Sequence, residues 1–117
     1  MTAVVAARWD VTWDRGGGWW VRLGRRTRGG LVLALADPCA LQVRPVDGAS
    51  AVAPLLDVPG VLGTGGDDAT FTVTAAQIET LPWDAYEYRA LGTDALSALP
   101  LVLLRGYVKI RDRVGDD

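Results

Sequence analysis

The sequence predicts an all-β fold, a Greek-key β-sandwich of about seven strands with one short helical turn near residues 75–80. Three observations predict it: helical periodicity is nearly absent, short apolar stretches alternate with polar residues at period two, and Gly, Pro and Asp clusters punctuate them at turn spacing. At 117 residues the chain has the length of one domain with a real core.

The elements follow in order. The opening stretch "TAVVAARWDVTWD" is apolar without a helical stripe. Residues 1–14 are therefore read as an arm able to pair with another chain's sheet edge. After the "DRGGG" turn, "WWVRL" at Trp19 to Leu23 reads as a strand, and Leu31 to Ala34 as the next. "CALQVRP", Cys39 to Pro45, alternates Leu41 and Val43 against Gln42 and Arg44, which marks one core face and one wet face. Ala51 to Leu56 is expected to be a short edge strand, since Pro54 cannot donate to a central ladder. "PGVLGTGGDD", Pro59 to Asp68, is rich enough in glycine to predict a mobile loop.

"ATFTVT", Ala69 to Thr74, is a β-branched strand with Phe71 and Val73 inward. Thr74 then serves as an N-cap, Ala75 to Thr80 make one turn of helix, and Pro82 prevents its continuation. Tyr86 and Tyr88 share a face of the strand that follows, opposite Glu87 and Arg89. One helical turn between two strands is a bridge from one sheet to the other. A tyrosine at such a corner is expected to hydrogen-bond nearby backbone. Leu99 to Leu104 is continuous and apolar, Gly106 marks an expected bulge, and "YVKIRD" alternates Val108 and Ile110 against Lys109 and Arg111. Residues 114–117 read as a frayed, charged tail.

Composition limits the chemistry. Net charge is −2 and the pI is near 5.0, which argues against a general nucleic-acid binder. One cysteine and no histidine exclude an intramolecular disulfide, a Cys/His zinc site and any proton transfer by imidazole. No apolar run approaches the roughly 20 residues that cross a bilayer, and the N-terminus has no signal-peptide pattern, so a soluble protein folded in the cytosol is expected. All basic residues but Lys109 are arginine, and Ala, Gly, Asp and Val are abundant, which suggests a GC-rich genome.

Four segments together carry a resemblance: the strand Leu41 to Arg44, the threonine-rich strand Phe71 to Thr74, the "LPWDAYEY" corner Leu81 to Tyr88, and the closing strand Leu104 to Ile110. In this order they resemble small immunoglobulin-like β-sandwich virion proteins of tailed bacteriophages, those of actinobacterial phages among them. They are also similar to the N-terminal domain of siphophage upper baseplate proteins. The resemblance spans roughly residues 19–114. It implies an immunoglobulin-like Greek-key sandwich, a structural role in the virion without enzymatic activity, and other phage virion proteins as partners, met as many copies in a symmetric assembly. It implies no cofactor. The chain lacks the coiled coil and receptor-binding extension of the baseplate protein, so a minor tail or baseplate place and a head accessory or decoration place are both expected.

Site candidates are few. Asp67 and Asp68 in the Gly-rich segment, with Glu79 and Glu87 near the corner, are the only carboxylates to weigh for paired-acid hydrolysis. Asp67 and Asp68 beside Gly65 and Gly66 offer hard oxygen ligands to calcium, although their spacing is not that of an EF-hand. Solvated loop acids are the expectation for both, with no metal. Cys39 follows Pro38 at a strand start and is expected to be an inert buried thiol. "RLGRRTRGG" groups Arg25, Arg26 and Arg28 near Trp19 and Trp20, a pattern that serves single-stranded nucleic acid or an acidic neighbour. The acidic balance favours a plain exposed hairpin tip whose tryptophans are core or subunit contacts, and in a virion such a tip could equally dock an acidic patch of a neighbour. Of the five tryptophans one or two are core; Trp9, Trp13, Trp19 and Trp20, with Arg25, Arg26 and Arg28, are the candidate interface. A carbohydrate-binding module, with exposed tryptophans stacking on host-surface sugars, is the alternative.

Overall fold

The computed structural model describes residues 7–24, 26–28, 31–46, 53–82 and 84–112. Two sheets face each other across one core, so the chain is an all-β sandwich. Eleven strands are present among the described residues: β1 Ala7–Arg8, β2 Val11–Asp14, β3 Trp19–Gly24, β4 Arg26–Arg28, β5 Leu31–Leu33, β6 Leu35–Arg44, β7 Leu56–Pro59, β8 Val61–Leu62, β9 Asp68–Val73, β10 Ala85–Asp94 and β11 Pro100–Arg111. That exceeds the expected seven because the N-terminal segment, a short hairpin and the Gly-rich segment each add strands. The large sheet runs β1/β2–β11–β10–β6–β7, the small sheet runs β3–β9–β8, and β4 and β5 form a separate hairpin.

Alternation decides which residues meet between the sheets. Trp19, Val21 and Leu23 point inward from β3 and lie opposite Val73, Phe71 and Ala69 of β9. Leu41 and Val43 of β6, Tyr86, Tyr88 and Ala90 of β10, and Val108 and Ile110 of β11 close the core from the other side. The apolar run in β11 has a specific cause. Ala90 pairs with Leu104 but Leu91 with Val102, so Leu103 is one extra residue and the inward phase changes there. Leu101, Leu103 and Leu104 are consequently all buried. On the other side of β10, Leu91 pairs with Ala40 and Thr93 with Ala36, an excess of two residues in β6 around the cis Asp37-Pro38 bond. An even excess keeps the phase, and Leu35, Cys39, Leu41 and Val43 stay inward.

Four expectations are corrected. Residues 7–14 do not wait for another chain: β1 and β2 pair in parallel with β11 of the same chain, Ala7 with Leu104 and Val11 with Val108. Residues 1–6 and the tail 114–117 lie outside the described residues. Gly106 sits in register opposite Tyr88 and the bulge is at Leu103; the glycine is needed because a Cβ there would come within 2.7 Å of the Trp9 carbonyl carbon. Of the edge strand expected at Ala51 to Leu56, residues 51–52 lie outside the described residues, residues 53–55 are not strand, and β7 begins at Leu56, paired with Val43. The Gly-rich segment is structured: β8 pairs with β9, a 3-10 turn covers Thr64–Gly66, and Gly66, at φ +73°, leaves no room for a side chain against the Leu35 backbone.

The bridge between sheets is as the sequence predicts. Helix α1, Ala75–Glu79, carries the chain from β9 in the small sheet to β10 in the large one. The Thr74 hydroxyl accepts from the Gln77 amide at 3.1 Å, and the Gln77 side chain accepts from the Thr74 amide at 2.8 Å, a capping box. Ile78 is the buried anchor of this turn.

Candidate functional site

The candidate interface residues separate once the strands are in place. Trp13 faces inward from β2 and is 1% exposed, so it is core and not an interface anchor. Its ring centroid lies 5.3 Å from that of Trp19, which lies 6.2 Å from Trp9 and 6.1 Å from Tyr88. These four rings form one aromatic cluster. The Tyr88 hydroxyl donates to the Trp9 carbonyl across 79 residues, so this tyrosine ties the N-terminal strands to the core instead of bonding backbone near its own corner. Burial, and then the Asp10 carboxylate, push its pKa up to about 12. Trp13 Nε1 is buried without a hydrogen-bond partner among the described residues.

Trp20 takes the opposite direction from Trp19 and is 67% exposed on the outer face of the small sheet. Its register neighbour is Thr72, and Arg22 pairs with Thr70 and holds Asp68 at 3.7 Å. Trp9 is half exposed. Arg26 and Arg28 lie in the β4–β5 hairpin, opposite Leu33 and Leu31; Arg25 and Trp83 lie outside the described residues.

The carboxylates do not converge. Asp68 is engaged by Arg22, Glu79 ends α1, and Glu87 lies on the outer face of the large sheet. Among the described residues no three of His, Cys, Asp or Glu stand close enough to share a metal ion. Cys39 is buried and its thiol donates to the Ala36 carbonyl at 3.2 Å. Burial, then the nearby Asp37 charge, raise its pKa, which suits an unreactive packing residue. No helix among the described residues is long and apolar enough to cross a membrane.

The outer face of the large sheet is the distinctive surface, and it escaped the sequence reading. Arg8 on β1 is in register with Arg105 on β11, and Arg105 with Arg89 on β10. Three arginines thus stand side by side on adjacent strands, roughly 5 Å apart at the backbone. The row continues through Gln42 on β6 to Asp57 on β7. Arg8 is held by Asp10 at 3.5 Å and lies 5.0 Å above the Tyr107 ring. Asp10 is itself fixed: its carboxylate accepts from the Tyr107 amide at 3.0 Å, taking the place of a ladder carbonyl where the N-terminal strand breaks between β1 and β2. That bond, more than Arg8, keeps its pKa below the ordinary carboxylate value. Arg89 and Arg105 have no carboxylate within ion-pair distance among the described residues. A shallow groove of about 160 Å³ opens between Arg8, Arg89, Arg105 and Tyr107, with the Glu87 carboxylate also on its wall. Cross-strand like charges destabilise a sheet. A row of three is therefore a local cost to folding that binding an anion would offset.

The turn of the β10–β11 hairpin adds an apolar element. The buried Asp94 carboxylate accepts from the Leu96 amide at 3.0 Å and from the Ser97 hydroxyl at 2.8 Å, and Leu96 and Leu99 project into solvent at this tip.

Comparison of the chain with protein-family models, and with curated proteins, finds no match to either.

Proposed function

We propose that this chain is a non-enzymatic binding domain that serves as a structural subunit of a tailed-bacteriophage particle, in the tail or baseplate or as a head accessory protein. The observation that carries the binding part is the Arg8–Arg105–Arg89 row, a preformed cationic face with two arginines unneutralised within the described chain. Such a face suits docking to a neighbour, and many symmetry-related copies make individually weak contacts strong. The virion part rests on the sequence resemblance. The strand order, with β1 and β2 parallel to β11 at the edge of a β11–β10–β6–β7 sheet over a β3–β9–β8 sheet, supports the immunoglobulin-like reading that goes with it.

Mass spectrometry of purified particles tests the virion role. Peptides of this chain, counted against the major capsid protein, are expected at a fixed stoichiometry. Hundreds of copies favour the head or the tail tube, a handful favour the tail tip, baseplate or neck, and absence overturns the role.

One observation favours a carbohydrate-binding module as the second reading. Trp20 lies exposed on a sheet face beside Thr70 and Thr72, and an indole with neighbouring hydroxyls suits a sugar ring. Saturable quenching of tryptophan fluorescence by host cell-wall glycans, abolished in Trp20→Ala, would establish it.

A further inference from the structure

We infer that the outer face of the large sheet receives an acidic segment of a neighbouring protein, whose carboxylates pair with Arg89 and Arg105. The inference rests on reading the chain as a subunit that docks to its neighbours, and names the chemistry of the neighbour.

The argument is one of charge and of what already occupies the face. The whole chain is acidic, with 14 Asp and Glu against 12 Lys and Arg, yet Arg8, Arg105 and Arg89 fall in one row. Arg8 already has Asp10 and the Tyr107 ring. Arg105 and Arg89 remain, side by side on neighbouring strands, as the pair whose forked donors meet no carboxylate among the described residues. A planar guanidinium binds a carboxylate through two parallel hydrogen bonds, so two adjacent guanidinia match two carboxylates of one segment. Lys109 lies on the same outward face of β11, farther along the strand, and extends the cationic track.

A nucleic acid fits less well. Single strands are held by stacking bases on exposed aromatic rings, and the Arg8 guanidinium already covers Tyr107 on this face. Asp10 and Glu87 also interrupt the cationic surface, which repels a continuous phosphate backbone but is ordinary in a protein interface of mixed charge.

The experiment uses the full chain labelled with nitrogen-15 and a 20-residue polyglutamate peptide at low salt. Amide shifts are expected to concentrate on Arg8, Arg89, Arg105 and Tyr107. The double variant Arg89→Gln/Arg105→Gln is expected to bind about tenfold more weakly, the scale of losing charge-assisted hydrogen bonds. Arg22→Gln, which removes a cation from the opposite sheet, is expected to bind as the parent does. A thermal melt of each variant establishes that it is folded, which both exposed sites permit. Absence of binding, shifts mapped elsewhere, or equal affinity in the double variant would overturn the site. Tighter binding of a 20-nucleotide oligothymidylate than of the peptide at equal ionic strength would overturn the choice of a protein partner. If polyglutamate binds through Arg89 and Arg105 while particles lack the chain, the docking face stands and the virion role falls. The converse result leaves the virion role and removes the face.

Discussion

Replacing Tyr88 by phenylalanine isolates the bond that joins the N-terminal strands to the core. The hydroxyl is the only group lost, and the ring keeps its contact with Trp19. A typical intramolecular hydrogen bond contributes a net ~1 kcal/mol, and more when its partner is left dry. The bond is part-buried, and ~1 kcal/mol is the expected loss. For a chain of this length that lowers Tm by about 4 °C. Hydrogen exchange localises the effect: the Trp9 amide, which donates to the Arg105 carbonyl at 2.9 Å, should exchange about fivefold faster, while amides of β9 are unchanged. The pH dependence adds a signature. Tyr88 holds its proton more tightly folded, at a pKa of about 12, than unfolded, at 10. Its stabilisation is therefore complete below pH 10 and lost as pH rises towards 12. Tyr88→Phe lacks that component, so the gap between parent and variant should close across this window. Equal Tm values at pH 7 together with equal Trp9 exchange would refute the claim that this hydroxyl fastens the strand.

Gly106→Ala places a Cβ against the Trp9 carbonyl and is expected to cost about 2 kcal/mol, the scale of overpacking, with loss of Trp9 amide protection by hydrogen exchange. Thr74→Ala removes the cap of α1 and should cost ~1 kcal/mol by urea denaturation, without disturbing the large sheet. Leu41→Ala, at a site with no exposure, should cost about 3 kcal/mol in the same assay. Arg105→Gln relieves like charge on both sides and is expected to raise Tm at low salt; the gain should shrink at 1 M salt, where the Debye length falls to about 3 Å. A Tm that falls instead would mean that Arg105 has stabilising partners on this face.

Local chemistry was legible in the chain wherever it depended on a few neighbouring residues. The period-two pattern of "TFTV" and "AYEYRA" set Phe71, Val73, Tyr86 and Tyr88 inward, and Thr74 with Pro82 delimited the single helical turn between sheets. The absence of histidine and the lone cysteine, Cys39, bounded the chemistry before any fold was known. Arg89 was equally readable as an outward residue, because alternation sets it on the face opposite Tyr88; Arg105, between a continuous apolar run and an expected bulge at Gly106, was not.

What alternation cannot assign is the neighbour across the ladder, since register is settled by turns and bulges far from the residues that it juxtaposes. Only the tertiary structure set Arg8 beside Arg105 and Arg105 beside Arg89. The same holds for the N-terminal segment: nothing local distinguishes an arm that joins another chain from one that folds back. The choice is made by Gly106, which leaves room for the Trp9 carbonyl, by the Tyr88 hydroxyl that meets it, and by Asp10, which satisfies the Tyr107 amide. Each of these contacts spans about 80 residues or more. Side-chain direction belongs to the sequence, and adjacency between distant strands belongs to the folded chain.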